Sequence, residues 1–131
     1  KTASIMLVDD NQDSLNLIEK LLTSRGYVSY KITTGTHAIS FAKNAQPDLI
    51  FLDITMPDMD GFEICRQLKA DKKSENIPII FMSAIHNTID IRKALSVGGE
   101  DYITKPIDID RLLNLVEIHL KNGHLIKSLS I

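Results

Sequence analysis

The sequence has very few of the residues that mark secreted, membrane-spanning or disulfide-linked proteins. Its 131 residues include one cysteine, Cys65, and no tryptophan. A single cysteine cannot form an intramolecular disulfide, so a reducing compartment is the default environment. No apolar run approaches the roughly 20 residues of a membrane span, and no signal peptide is visible in this sequence. We therefore expect a cytoplasmic location.

The sequence also lacks a large excess of either charge. The formal net charge is −2, which provides no positive field to attract nucleic acid or an anionic membrane. Hydrophobic residues make up 44% and charged residues 24% of the chain, the balance of a globular protein. This length predicts one compact domain with one sizeable core. Because the sequence starts with Lys1 and ends in a plausible helix, we expect a piece of a longer protein or a processed form.

Five short apolar segments recur along the chain, and each is short enough to be one strand. They are Ile5–Val8, Val28–Ile32, Leu49–Leu52, Ile79–Met82 and Tyr102–Thr104. Segments that are apolar throughout, such as Leu49–Leu52, are typical of strands covered on both sides. Stretches of helical periodicity lie between them. The pattern predicts an α/β fold with a parallel sheet and helices on both faces.

Apolar residues three or four positions apart mark the helical stretches. Such stripes are Leu15, Ile18 and Leu22; Phe62, Cys65 and Leu68; and Leu112, Leu113, Val116 and Leu120. The first helix is predicted to begin near Gln12, and a second, weaker pattern predicts a helix from about Thr36 to Asn44. Because Cys65 falls on a helical stripe, we expect it to lie in the core rather than to react.

Polar and ionic side chains follow four of the five predicted strands. The first strand ends in Asp9 and Asp10, the third in Asp53, the fourth in Ser83 and the fifth in Lys105. In an open parallel sheet, binding sites lie beyond the carboxyl ends of the strands. We therefore expect these side chains to form one site.

The carboxylates in this predicted site indicate phosphoryl chemistry. Three carboxylates at one edge would repel and raise one another's pKa. A divalent cation removes this conflict, and an all-oxygen cluster suits Mg²⁺, with Mn²⁺ as the alternative. One carboxylate is then left to act as a nucleophile, as aspartate does when it forms an aspartyl phosphate. Lys105 would supply a positive charge and Ser83 a hydroxyl donor, and phosphoryl transfer depends mainly on such positioning and neutralising groups.

Four segments together resemble the receiver domain of two-component response regulators. They are "MLVDDN", "LDITMPDMDGFE", "IIFMSA" and "GGEDYITKPI". The resemblance covers essentially residues 4–121, in the order and spacing of the family. It implies a flavodoxin-like, doubly wound five-stranded parallel sheet with strand order 2-1-3-4-5 and helices on both faces. It also implies a receiver domain over residues 1–121.

The resemblance assigns the acidic residues their roles. Asp53 is similar to the family's phosphoacceptor, with Asp9, Asp10 and the backbone carbonyl of Thr55 around the Mg²⁺ ion. Thr55 and Ile85 occupy the two variable positions that flank the family's site. An apolar Ile85 cannot orient an attacking water, so we expect slow loss of the phosphoryl group.

The remaining assignments concern the switch that follows phosphorylation. Ser83 is similar to the family's switch serine or threonine, and Tyr102 to its aromatic switch residue. Lys105 is similar to the family's lysine, and the peptide bond from it to Pro106 is implied to be cis.

The resemblance implies a signalling role rather than a stand-alone turnover enzyme. The domain would take a phosphoryl group from the phosphohistidine of a histidine kinase or phosphotransfer domain. Its fourth helix, fifth strand and fifth helix would then bind an output domain, a downstream protein or a second copy. Three sources of output stay open: a hybrid kinase with its kinase activity, a multidomain regulator with a further output domain, or the receiver alone.

Two rival functions remain open at this point. One is a phosphorylation-independent pseudo-receiver that serves as an interaction module. The other is a Mg²⁺-dependent phosphohydrolase with Asp53 as nucleophile. Phosphatases of the haloacid dehalogenase type have a general-acid aspartate two residues after the nucleophile, and this chain has Thr55 there.

Several residues also have structural interpretations. Asp9 or Asp10 could cap the first helix. Asp58 and Asp60 are predicted to be solvated loop acids, with Asp60 a candidate cap for the third helix. The histidines lack ligand spacing and are predicted to bind no metal; they are His37, His86, His119 and His124.

The C-terminal residues 122–131 allow two predictions. Asn122 and Gly123 form a typical helix stop, which predicts a frayed tail. A heptad-like spacing instead predicts the start of a helical linker. Its members are Leu115, Ile118, Asn122, Leu125 and Leu129.

Overall fold

The computed structural model describes residues 2–84 and 88–129, and the side chains of residues 2–84 and 91–121. Within these ranges, strands and helices alternate along the chain. The elements are β1 (Ser4–Val8), α1 (Gln12–Ser24), β2 (Val28–Ile32), α2 (Gly35–Ala45), β3 (Leu49–Asp53), α3 (Gly61–Lys69), β4 (Ile79–Ser83), α4 (Thr88–Ser96), β5 (Asp101–Thr104) and α5 (Ile109–Leu129). The strands form one parallel sheet in the order β2-β1-β3-β4-β5. The predicted fold class and strand order are confirmed.

The helices cover both faces of the sheet, because successive residues of a strand point to opposite sides. Met6 and Phe81 belong to a core cluster with residues of α2, α3 and α4. Leu7 and Phe51 belong to a second cluster with residues of α1 and α5. The sheet therefore lies between two helical layers, and the carboxyl ends of all its strands face the same edge.

The edge strands are less covered than the sequence predicts. Every residue of β3 and β4 is buried, whereas in β2 only Ile32 is. Only Ile103 is buried in β5. The prediction of strands covered on both faces holds for β3 and β4 but not for β2 and β5, which are the two edge strands of the sheet.

The predicted helical stripes lie in the core. Leu15, Ile18 and Leu22 are buried in α1, and Cys65 is buried in α3. Burial raises the pKa of the Cys65 thiol to about 11, so near neutral pH it is almost entirely protonated and a poor nucleophile. The prediction of a core cysteine is confirmed.

The last helix, α5, continues without a break through Asn122 and Gly123 to Leu129. The predicted helix stop is therefore wrong. The first two residues of the predicted heptad seam do not share one surface, because Leu115 is buried in the core while Ile118 is 53% exposed. The division of the chain at residue 121 stays a prediction. No helix in the described part of the chain is long and apolar enough to cross a bilayer.

Candidate functional site

Three carboxylates meet at the carboxyl edge of the sheet. Asp9 follows β1 and is fully buried, while Asp53 ends β3 and is only 6% exposed. Asp10 is exposed at the mouth of the site. One oxygen from each carboxylate can be chosen so that all lie within 4.8 Å of one another. The strand order brings these residues together, because β1 and β3 are adjacent.

Lys105 brings positive charge to the same cluster from the end of β5. Its Nζ lies 2.7 Å from Oδ2 of Asp9 and 3.2 Å from Oδ2 of Asp53. The backbone N–H of Lys105 donates to the carbonyl of Ser83 at 2.8 Å, and the peptide bond to Pro106 is cis. Two carboxylates of the site therefore hold the ammonium of Lys105.

The electrostatics of Asp53 reflect its depth in the site. Burial raises the pKa of Asp53 above its ordinary value, and the charge of Asp9 adds to the rise. The backbone N–H of Thr55, 3.1 Å from Oδ1, and the ammonium of Lys105 act in the opposite direction without reversing the shift. The ionised form of Asp53 is therefore held at a cost, which added positive charge would reduce.

The carboxylates of the site also shift the pKa of Lys105. Partial burial acts to lower the pKa of Lys105, but its hydrogen bond to Asp9 and the charges of Asp53 and Asp9 raise it above the ordinary 10.5. The ammonium therefore stays charged at neutral pH.

The loop after β3 turns back sharply to begin α3. The N–H of Ile54 donates to the carbonyl of Met82 at 3.0 Å, and the N–H of Gly61 donates to the carbonyl of Ile54 at 2.8 Å. A Cβ on Gly61 would lie 2.4 Å from the carbonyl oxygen of Asp53. Only glycine therefore allows α3 to start this close to the end of β3.

The two candidate switch residues lie on adjacent strands. Ser83 ends β4 and is 8% exposed. Tyr102 is half-buried on the edge strand β5 and packs against the cluster beneath α2, α3 and α4. Its register partner on β4 is Phe81. Both residues therefore lie at the positions that the sequence predicts, one at the strand end and one on the edge strand.

Asn11 caps α1, so the alternative that Asp9 or Asp10 caps it is wrong. The Asn11 side chain accepts the N–H of Ser14 at 3.1 Å. The carboxylate of Asp9 instead accepts the N–H of Asn11 at 2.9 Å. Two contacts, with Asn11 and Lys105, therefore fix Asp9 in the site.

The acidic loop residues have structural partners. Asp60 caps α3 by accepting the N–H of Phe62 at 2.7 Å, as predicted. Asp58 is exposed in the loop as predicted, but its carboxylate also accepts the N–H of Gly35 at 2.9 Å and of Thr36 at 3.2 Å. These bonds, first that from Gly35, lower the pKa of Asp58. One signal was available in the sequence: α2 has no acid in its own first turn.

Among the described side chains, the only group of three or more potential metal ligands is that of Asp9, Asp10 and Asp53. His119 Nε2 lies 3.5 Å from Oδ2 of Asp101, and the ring centroid of His37 lies 5.9 Å from that of Phe41. The side chains of Ile85, His86 and His124 lie outside the described residues.

The donor set fits a hard divalent cation. It offers only carboxylate oxygens, which Mg²⁺ prefers over nitrogen or sulfur ligands. Lys105 supplies one positive charge against the three carboxylates of Asp9, Asp10 and Asp53. The cluster is therefore left with excess negative charge, which one divalent ion would offset.

The sequence profile of the response regulator receiver domain matches residues 5–117. The chain belongs to this family. It is 33% identical over 119 residues to the polar-differentiation response regulator DivK of Brucella ovis, across 91% of this chain and 97% of DivK. It is 38% identical over 107 residues to the response regulator PleD of Caulobacter vibrioides, across 82% of this chain but only 24% of PleD.

A solved structure from a kinase carries the same fold. It is the receiver domain of a signal transduction histidine kinase from Syntrophus aciditrophicus, with 30% identity, a TM-score of 0.84 and coverage of 92% of each chain. Receiver domains of this family act as signalling switches. This receiver spans about a quarter of PleD and nearly all of DivK.

Lys105→Met is expected to lower the free energy of unfolding by about 2 kcal/mol near neutral pH, because a buried carboxylate loses its cation. Since the folded pKa of Lys105 is above 10.5, its contribution is present below that pH and is lost as pH rises through the folded pKa. Urea unfolding followed by circular dichroism measures the difference. Lys20→Met, at an exposed lysine, is the control. Equal stability of the two variants would contradict the prediction.

Proposed function

We propose that this receiver accepts a phosphoryl group on Asp53 from the phosphohistidine of a histidine kinase or a histidine phosphotransfer domain. The observation that supports this most directly is the contact of Lys105 Nζ with both Asp9 and Asp53, 2.7 and 3.2 Å away. One partly buried cation between two carboxylates suits a site that must hold a dianionic group.

Mg²⁺, with Mn²⁺ as the alternative, would be held by Asp9, Asp10, Asp53 and the backbone carbonyl of Thr55. Bound there, the ion would neutralise charge on the transferring phosphoryl oxygens. Asp9 and Asp10 form no bond to phosphorus in this proposal, so their carboxylates would be available to the ion. Asp53 keeps one oxygen for the reaction.

The chain's own residues perform the rest of the transfer. A carboxylate oxygen of Asp53 forms the new phosphorus–oxygen bond as the phosphorus–nitrogen bond of the donor breaks, and the leaving imidazole nitrogen takes a proton from solvent. The N–H of Thr55 orients the Asp53 carboxylate through Oδ1. Lys105 holds its ammonium beside the Oδ2 atoms of Asp9 and Asp53, where it stabilises developing negative charge.

The new charge then operates a two-state switch. The phosphoryl group carries a charge of about −1.5 to −2, which replaces the single negative charge of the Asp53 carboxylate, and it attracts the hydroxyl of Ser83. Tyr102 repacks in response, which changes the face formed by α4, β5 and α5. This face binds the output domain, a downstream protein or a second copy, and only differential binding to the two states transmits the signal.

The residues of the site argue against the two rival functions. A pseudo-receiver would be expected to lack an acidic residue, the acceptor or the lysine, whereas all of these are present at the sheet edge. A phosphohydrolase of the haloacid dehalogenase type would need an acidic residue at position 55, where this chain has a threonine. The receiver is therefore proposed to be a cytoplasmic switch rather than a turnover enzyme, with kinase or other output activity in the parent chain.

The test is phosphoryl uptake from acetyl phosphate with Mg²⁺, followed by intact-mass spectrometry. We expect uptake of one phosphoryl group that needs Mg²⁺ and is lost in Asp53→Asn. Glu117→Gln, at an exposed acid on α5, removes the same charge and should leave uptake unchanged. No uptake by the unsubstituted chain, or uptake that survives in Asp53→Asn, overturns the proposal.

A further inference from the structure

The acidic loop between β3 and α3 is tied to a helix from a different part of the chain. The carboxylate of Asp58 accepts the N–H of Gly35 at 2.9 and 3.1 Å and the N–H of Thr36 at 3.2 Å. Gly35 and Thr36 are the first two residues of α2, and they lie 23 and 22 positions earlier in the chain. Asp58 therefore performs, from another loop, the task of a helix cap.

The start of α2 needs this acid. Its own N-cap, Thr34, accepts only the N–H of His37, at 3.4 Å. The first N–H groups of a helix have no partner within the helix, and they carry partial positive charge that a carboxylate offsets. Asp58 accepts the N–H groups of Gly35 and Thr36, to which the side chain of Thr34 does not bond.

Close packing accompanies the hydrogen bonds. Gly35 is buried, and a Cβ there would lie 2.9 Å from Cβ of Met59 and 2.8 Å from Cδ1 of Ile64. Met56 is 7% exposed and belongs to the same core cluster as Ile64. The tip of the loop thus rests on α2 and on the core, while its base is closed by the bond from Gly61 to Ile54.

The same loop orients the proposed phosphoacceptor. Thr55 lies three residues before Asp58, and its N–H donates to Oδ1 of Asp53 at 3.1 Å. We propose that Asp58 is a positioning residue, which fixes the loop against α2 so that Thr55 presents its backbone to Asp53 and to the cation. This inference rests on the proposed function, because the cation and the acceptor role belong to that proposal.

The coupling must act in both directions. If the anchored loop binds the cation better, the cation must equally favour the anchored loop. Mg²⁺ should therefore slow amide hydrogen exchange at Gly35 and Thr36, although neither residue belongs to the acidic cluster. A purely structural helix cap would show no such dependence.

The first experiment is a Mg²⁺ titration followed by amide NMR shifts of the folded chain. Asp58→Ala is expected to raise the dissociation constant for Mg²⁺ by roughly three- to tenfold, the equilibrium equivalent of one helix cap. Asp58→Asn keeps an oxygen acceptor and should recover part of the loss. Asp71→Ala is the matched control, since Asp71 also accepts a backbone N–H, that of Lys73 at 2.8 Å, beyond the C-terminal end of α3.

The second measurement is hydrogen exchange at the first turn of α2 with and without Mg²⁺. We expect slower exchange at Gly35 and Thr36 in the unsubstituted chain and no effect of Mg²⁺ there in Asp58→Ala. If Asp58→Ala and Asp71→Ala bind Mg²⁺ equally well, the positioning role is overturned while the proposed function stands. If the unsubstituted chain binds no Mg²⁺ and takes up no phosphoryl group, the proposed function itself fails.

Discussion

Asp53→Asn is expected to make the domain more stable while it removes the ability to accept a phosphoryl group. The raised pKa of Asp53 means that the folded state favours its neutral form, first because of burial and then because of the charge of Asp9. Asparagine has the same shape without the charge. The variant should therefore unfold at a melting temperature higher by roughly a few degrees, with Lys105 still paired to Asp9 at 2.7 Å.

The gain should depend on pH in a defined direction. A group whose folded pKa exceeds its unfolded value contributes stability below the unfolded pKa and loses that contribution as pH rises through the folded pKa. For Asp53 the unfolded value is 3.8. The stability advantage of Asp53→Asn should therefore be small below that pH, grow as pH rises through the folded pKa, and then stay constant.

Thermal unfolding followed by circular dichroism across this pH range measures the advantage, in buffer without divalent cations. Glu117→Gln removes the same charge from an exposed position and should show no comparable gain. A melting temperature of Asp53→Asn that equals or falls below that of the unsubstituted chain at neutral pH would contradict the raised pKa.

Gly61→Ala is expected to lower the free energy of unfolding by about 3 kcal/mol, near the upper end for an overpacked site. The added Cβ would lie 2.4 Å from the carbonyl oxygen of Asp53 and 2.8 Å from Cα of Ile54. Both are backbone atoms, so neither can rotate away as a side chain would. Either the end of β3 or the start of α3 must move, and the site moves with it.

Gly26→Ala provides the contrast for this prediction. Gly26 has a φ of +87°, and a Cβ added there would have nothing within 4 Å, so its substitution costs backbone strain alone, about 1 kcal/mol. Urea unfolding should show the larger loss for Gly61→Ala, and Mg²⁺ binding should weaken in that variant only. Equal losses would mean that the start of α3 adapts to the added atom.

Much of the fold was predictable because parallel α/β architecture leaves a regular pattern in the sequence. The buried strand β3 reads as a continuous apolar run, and α1 buries the stripe Leu15, Ile18 and Leu22. Predictions from this pattern were less accurate at an edge strand and at the C-terminal helix. The edge strand β2 is half solvent-exposed, and α5 continues past Gly123 although glycine disfavours helix.

The candidate site was predictable in its members and less so in its contacts. The predicted ends of the strands identified the members of the site, which are Asp9, Asp10, Asp53, Ser83 and Lys105. Their roles come from the resemblance to receiver domains and remain proposals. The cap of α1 was missed because Asn11, next to two acids, is an equally good cap by residue type. The Asp58 contact was missed because its partners lie in a different helix.

The sequence by itself determined the alternation of strands and helices, the family and the end of the sheet where the chemistry lies. These depend on local pattern and on short segments. The tertiary structure decided that Lys105 reaches Asp9 and Asp53 across 96 and 52 positions and that the pKa of Asp53 is raised. It also decided that the carboxylate of Asp58 accepts the first two N–H groups of α2. Hydrogen bonds and charge interactions depend on distance and burial, which only the packed chain sets.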